Sequence, residues 1–139
     1  MSKSVLAVID MQKDFIDGAL GTKEAQAIVG NVAAYIEQSI NAGVEVVYTR
    51  DTHFDNYMDT QEGKNLPVPH CIKGSKGWEI CEELKVFQNE NTRVFDKLTF
   101  GSVELAGYLK TIENLESVTL VGLCTDCLLY TSPSPRDCS

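Results

Sequence analysis

Apolar residues recur along this chain in short runs separated by helical spacing. That alternation sets the expected architecture. Ser4–Ile9 is almost continuously apolar and ends on Asp10, the pattern of a strand buried on both faces of a parallel sheet. From Lys23 to Asn41, Ile28, Val32, Tyr35, Ile36 and Ile40 fall on one helical face, and Gly43 follows as a left-handed cap. Val44–Thr49 reads as a second strand, so the chain opens with a β-α-β unit. Periodicity is then lost from Arg50 to Glu90, a stretch punctuated by Gly63, Pro67, Pro69, Gly74 and Gly77, with at most short helical turns near Trp78–Leu84. Thr92–Phe95 predicts a third strand ending near Asp96 and Lys97. Ser102 can cap a helix turning Leu105, Leu109 and Ile112 inward, and Ser117–Gly122 is a fourth strand. A helix should start near Thr125, but Pro133 and Pro135 stop a regular helix soon after.

The expected fold is therefore α/β: a three-layer, Rossmann-like arrangement around a mostly parallel sheet, truncated after its fourth strand. Residues 1–126 form the N-terminal part of a single domain. Residues 127–139 read as a non-native or disordered tail, and the stretch from Leu128 to Asp137 resembles a translated sequencing adaptor.

Composition narrows the function. The 139 residues hold 20 acidic against 12 basic side chains, a net charge of −8. That field repels polyphosphates, so nucleic acid is excluded as a partner. No apolar run approaches spanning length and no signal peptide precedes the first strand, so neither a membrane nor export is expected and the expected location is cytoplasmic. Five cysteines, odd in number and irregular in spacing, are expected as free thiols in a reducing compartment. Cys124 and Cys127 have the bare C-x-x-C form of a redox motif, a weak signal at this position.

Chemistry-bearing residues collect where strands end. Asp10 follows strand one at the edge where open α/β sheets place their sites. Asp51 and His53 follow strand two, and residues two apart in an extended segment point the same way. Glu62 and His70 lie farther into the irregular insert, which thus contains both histidines of the chain. Two carboxylates and two imidazoles suit Zn²⁺, Mn²⁺ or Fe²⁺, and a bound cation would explain how so long an insert is ordered; unrelated solvated polar groups are the competing explanation. Lys97 can reach the same crevice and pair with Asp10, although a surface lysine is the plainer reading. Cys124, at a strand-to-helix turn, stands where backbone N–H groups can bind an oxyanion; periodicity does not choose between it and Cys127 as a nucleophile. Gln12 and Phe15 are possible pocket residues, and Asp14 and Asp17 read as caps.

Taken in order, Val8–Phe15, Thr49–His53, Pro69-His70, Phe95–Lys97 and Val121–Asp126 resemble the isochorismatase-like cysteine hydrolases, and within them the nicotinamidase/pyrazinamidase branch. The resemblance implies an Asp-Lys-Cys triad with Asp10 and Lys97 as its first two members. It also implies metal ligation by Asp51, His53, Glu62 and His70, substrate contacts from Phe15, Trp78 and Cys124, and a small carboxamide as substrate. The implied reaction is nicotinamide and water to nicotinate and ammonia, through a cysteine thioester. Relatives of this kind leave open a homo-oligomer in the full-length parent. The nucleophile, however, would stand two residues after Asp126, where this chain has Leu128. Leucine offers neither an ionisable proton nor an attacking lone pair. The expected state of this copy is inactive; the alternatives are a related cysteine hydrolase of another small substrate and a non-enzymatic metal-binding fragment.

Overall fold

The computed structural model describes residues 3–97, 103–122 and 130–132; the side chains of Glu62, Val103 and Tyr130–Ser132 lie outside that description. Strand β1 (Lys3–Ile9) is followed by a single helical turn α1 (Lys13–Ile16) and the 19-residue helix α2 (Lys23–Asn41). Strand β2 (Glu45–Asp51) leads into the irregular insert, which contains a 3₁₀ turn (Tyr57–Asp59) and the short helices α3 (Gln61–Asn65) and α4 (Glu82–Lys85). Strand β3 (Val94–Lys97), helix α5 (Val103–Thr111), strand β4 (Leu115–Gly122) and a short β5 (Tyr130–Ser132) complete the order.

The strands lie in the order β3-β2-β1-β4-β5. The first four are mutually parallel, with Ile9 beside both Thr49 of β2 and Gly122 of β4, and Asp51 beside Lys97 of β3. Because β1 is central, its side chains alternate between two buried layers. Leu6 and Val8 join Val29, Val32 and Ile36 of α2 and Leu84 of α4 in one. Val5, Ala7 and Ile9 meet Leu105 in the other, with Leu109 and Ile112 packed against it. No helix among the described residues is long and apolar enough to cross a membrane.

Helix α2 has the bounds its periodicity predicts. Thr22 caps it by accepting the Ala25 N–H at 3.0 Å, and Gly43 at φ 81° makes the left-handed exit that a side chain resists. Its inward stripe is narrower than expected. Ala25, Val29, Val32, Ile36 and Ser39 are buried, while Tyr35 and Ile40 are 39% and 44% exposed. They sit at the margins of the stripe, where the sheet no longer reaches them. The sheet also runs one strand beyond the expected four: β5 pairs antiparallel with β4, Leu120 beside Tyr130. Backbone pairing of this kind needs no side-chain pattern, so nothing in the tail's periodicity announces it. The helix expected near Thr125 falls outside the described residues.

Candidate active site and metal centre

Asp10 leaves the end of β1 with φ 53°, a left-handed conformation that aspartate tolerates better than most residues. Its N–H donates to the Thr49 carbonyl, and the Thr49 hydroxyl donates to Asp10 Oδ1 at 3.0 Å. Lys97, at the end of β3, places Nζ 2.6 Å from Asp10 Oδ2, both side chains nearly buried. The residue before it points elsewhere: Asp96 Oδ1 accepts from Arg50 Nε at 2.7 Å. Burial pushes the Asp10 carboxyl above its ordinary pKa, opposed by the charge and hydrogen bond of Lys97. A buried carboxyl displaced this way, with a cation on one oxygen and a hydroxyl on the other, is suited to accept and return a proton.

Beside it, Asp51 ends β2, and the chain turns so that His53 Nε2 lies 3.0 Å from Asp51 Oδ2. The insert closes back on this point. His53 N–H donates to the Cys71 carbonyl and its own carbonyl accepts from Lys73, which sets His70 close by. His70 Nε2 is 3.6 Å from the same Asp51 oxygen, and the two imidazole centroids are 4.9 Å apart. One donor atom from each of Asp51, His53 and His70 fits within 4.8 Å of the other two. His70 Nδ1 lies 2.7 Å from the Val68 carbonyl, which can only accept, so Nδ1 carries a proton and, when the ring is neutral, Nε2 carries none. That leaves the Nε2 lone pair facing a carboxylate oxygen. Two lone pairs in this position repel unless a proton or a cation lies between them, so the donor set fits a divalent ion with an open coordination position. A proton on His70 Nε2 can fill the same place: burial would raise the Asp51 pKa, but the hydrogen bond such a proton makes and the charge of His53 outweigh it and hold the carboxyl below its usual value.

Aromatic rings wall the donor set. Phe15 meets His70 edge-on at 5.5 Å, and Tyr57 packs on both His53 and His70 at 4.8 and 5.1 Å. Tyr57 is fully buried and donates its hydroxyl to the Leu66 carbonyl. Trp78 is half-buried; its indole N–H donates to Thr52 Oγ1 at 3.0 Å, and Arg50 covers one ring face at 3.8 Å. A groove of about 520 Å³ lined by Phe54, Asp55, Asn56, Ile72 and Lys73 opens nearby, but none of the donor residues lines it.

The structure therefore brings together Asp10 with Lys97, and Asp51 with His53, His70 and Phe15. The Glu62 side chain, Cys124, Cys127 and Leu128 lie outside the described residues. Gln12, expected as a pocket residue, is instead buried in the core and bonded to backbone. Asp14 does cap its loop through Ala19 N–H, but its second oxygen accepts from Cys71 N–H at 2.7 Å, far across the sequence. Sequence reasoning missed Thr49 and Tyr57 altogether. Thr49, a hydroxyl inside an apolar strand, carried a signal; Tyr57, within the aperiodic insert, carried none. Cys71 and Cys81 are free, as expected; both are also buried, which pushes the Cys81 thiol up to about 11.

Residues 4–131 match the isochorismatase domain family model. No curated protein matches the sequence significantly. Among solved structures, the pyrazinamidase of Pyrococcus horikoshii in complex with zinc is 30% identical, over 89% of this chain and 72% of that one, with TM-score 0.73. The N-carbamoylsarcosine amidase of Thermoplasma acidophilum is also 30% identical, over 91% and 71%, at TM-score 0.74. The pyrazinamidase/nicotinamidase of Streptococcus mutans is 28% identical, over 89% and 74%, at TM-score 0.78. The likeness thus runs through the parallel strands from which Asp10, Asp51 and Lys97 emerge, and the chain belongs to the isochorismatase family.

Proposed function

We propose that this site is of the nicotinamidase type, built to hydrolyse a small aromatic carboxamide to its acid and ammonia. One observation carries the reading: an acid–lysine pair and a three-donor cation set lie side by side where β1, β2 and β3 end, the insert bringing His70 to the donors that follow β2. Likeness to a zinc-containing pyrazinamidase and to a pyrazinamidase/nicotinamidase supports it. Asp51, His53 and His70 would hold the ion, with Glu62 as a further ligand; Zn²⁺ suits the set best, and Mn²⁺ or Fe²⁺ suits the same donors. Bound there, a divalent ion supplies Lewis-acid polarisation to a substrate ring nitrogen or a water.

The chain's own groups account for the proton traffic. In a parent that has the thiol, Asp10 would take its proton and return it to the departing nitrogen, while Lys97 balances the charge of the carboxylate. In that reaction a C–S bond forms as the C–N bond breaks and ammonia leaves; water then cleaves the thioester to the acid. Phe15, Trp78 and Cys124 would wall the substrate. With Leu128 at the nucleophile's position, the thiol is missing and the copy is inactive. Free buried thiols favour a reducing, cytoplasmic compartment.

The 139-residue chain is expected to bind one equivalent of zinc and to release no ammonia from nicotinamide above a zinc-only blank. Turnover abolished by Cys127→Ser would overturn the assignment of Leu128, and an absence of zinc binding would overturn the cation site. A second reading has its own support: the amidase of N-carbamoylsarcosine is equally identical to this chain. Binding of N-carbamoylsarcosine in preference to nicotinamide, measured calorimetrically on the zinc-loaded chain, would favour it.

A further inference from the structure

A glutamine side chain buried beside an apolar strand end loses its hydration, and returns that cost only through well-placed partners. Gln12 is 0% exposed. Its Oε1 accepts the Asp51 N–H at 2.8 Å while its Nε2 donates to the Asp51 carbonyl at 2.9 Å and to the Trp78 carbonyl at 2.7 Å. The carboxamide therefore grips both backbone polar atoms of one residue, as a neighbouring strand would, and reaches across to the far end of the insert. Its orientation is dictated, since a flipped amide would set N–H against N–H.

Two residues along, Asp14 does the same for the opposite side of the donor set. It holds the N–H of Cys71, whose φ of 50° is left-handed and which directly follows His70. The short segment after β1 thus carries Asp10 and fixes the backbones from which Asp51 and His70 project. Once its backbone is held, the Asp51 carboxylate has only its own two side-chain torsions left to place an oxygen.

We infer that Gln12 is a positioning residue that sets the cation affinity of the Asp51–His53–His70 cluster by pinning the Asp51 backbone, and that it ties this cluster to Asp10. The inference rests on the reading of that cluster as a divalent-cation site. Outer partners of metal ligands typically contribute about 10–100-fold in affinity.

The test is competitive zinc titration of the chelator-stripped chain and of Gln12→Met, which keeps the size of the side chain and removes its hydrogen bonds. The folded variant should bind zinc about 10–100-fold more weakly, at unchanged stoichiometry. Unchanged affinity with only a lowered melting temperature would make Gln12 a structural filler and overturn the inference. Because Gln12→Met leaves three backbone groups unpaired, the wild-type chain provides a second measurement. The ¹⁵N side-chain amide signal of Gln12 should shift in step with zinc occupancy; a silent signal while the Asp51 and His53 backbone amides shift overturns the inference. A wild-type chain that binds no zinc at all overturns the cation reading with it, and is distinguished from the other failures by the absence of any measurable affinity.

Discussion

At the scale of single residues, the Asp10–Lys97 pair is both a chemical device and a liability. Removing one member of a buried pair strands the other charge, typically at a cost of about 3–5 kcal/mol. Lys97→Met should show this with a distinct pH dependence. Burial already raises the Asp10 pKa, and the lysine opposes that rise, so its loss sends the value higher still. Between its unfolded value near 4 and the raised folded value, the native state keeps a proton that the unfolded chain gives up. The variant's stability should therefore fall as pH rises, and urea unfolding should find it closer to wild type at pH 5 than at pH 8. A pH-independent deficit would contradict the account. Asp10 was legible in sequence because it closes an apolar run, whereas Lys97, on the plainer reading a surface lysine, took its role from the resemblance. The clamp of Gln12 on Asp51 was not, since its partner lies 39 positions away and hydrophobic spacing reports only on neighbours along one element. Phe15 was readable as a possible pocket residue from its place just beyond the first strand, and Thr49 could have been suspected from a polar group inside an apolar strand.

At the scale of elements, regular segments and the insert obey different rules. Helix α2 was legible because burial against a sheet imposes its period on nineteen residues. The insert has no period, and its order comes from particular contacts, so its 3₁₀ turn and α3 were illegible. Two substitutions separate these regimes. Thr22→Ala removes only a cap and should cost about 1 kcal/mol, leaving zinc affinity unchanged. Gly77→Ala would drive a methyl carbon into the carboxylate of Asp14, the group that holds Cys71. Displacing it should cost about 1–3 kcal/mol by overpacking and also weaken zinc binding. Urea denaturation paired with zinc titration distinguishes the two; equal zinc affinities would detach Asp14 from the donor set.

For the whole molecule, the parallel sheet was legible in strand number, strand type and position of the site, because fully buried strands and their crossovers leave apolar runs at regular intervals. The antiparallel β5 was not. The central placement of β1 governs how the structure comes together. Its β2 neighbour is available after about fifty residues have been made, but its other flank waits for β4, some seventy residues later in the chain. Parallel pairing across such separations forms slowly. In pulse-labelled hydrogen exchange during refolding, amides joining β1 to β2 should gain protection before those joining β1 to β4; simultaneous protection would indicate a single concerted closure. A nascent chain leaving the ribosome would meanwhile expose one sticky margin to its neighbours for about half of its synthesis, so crowded translation is a condition that favours its aggregation.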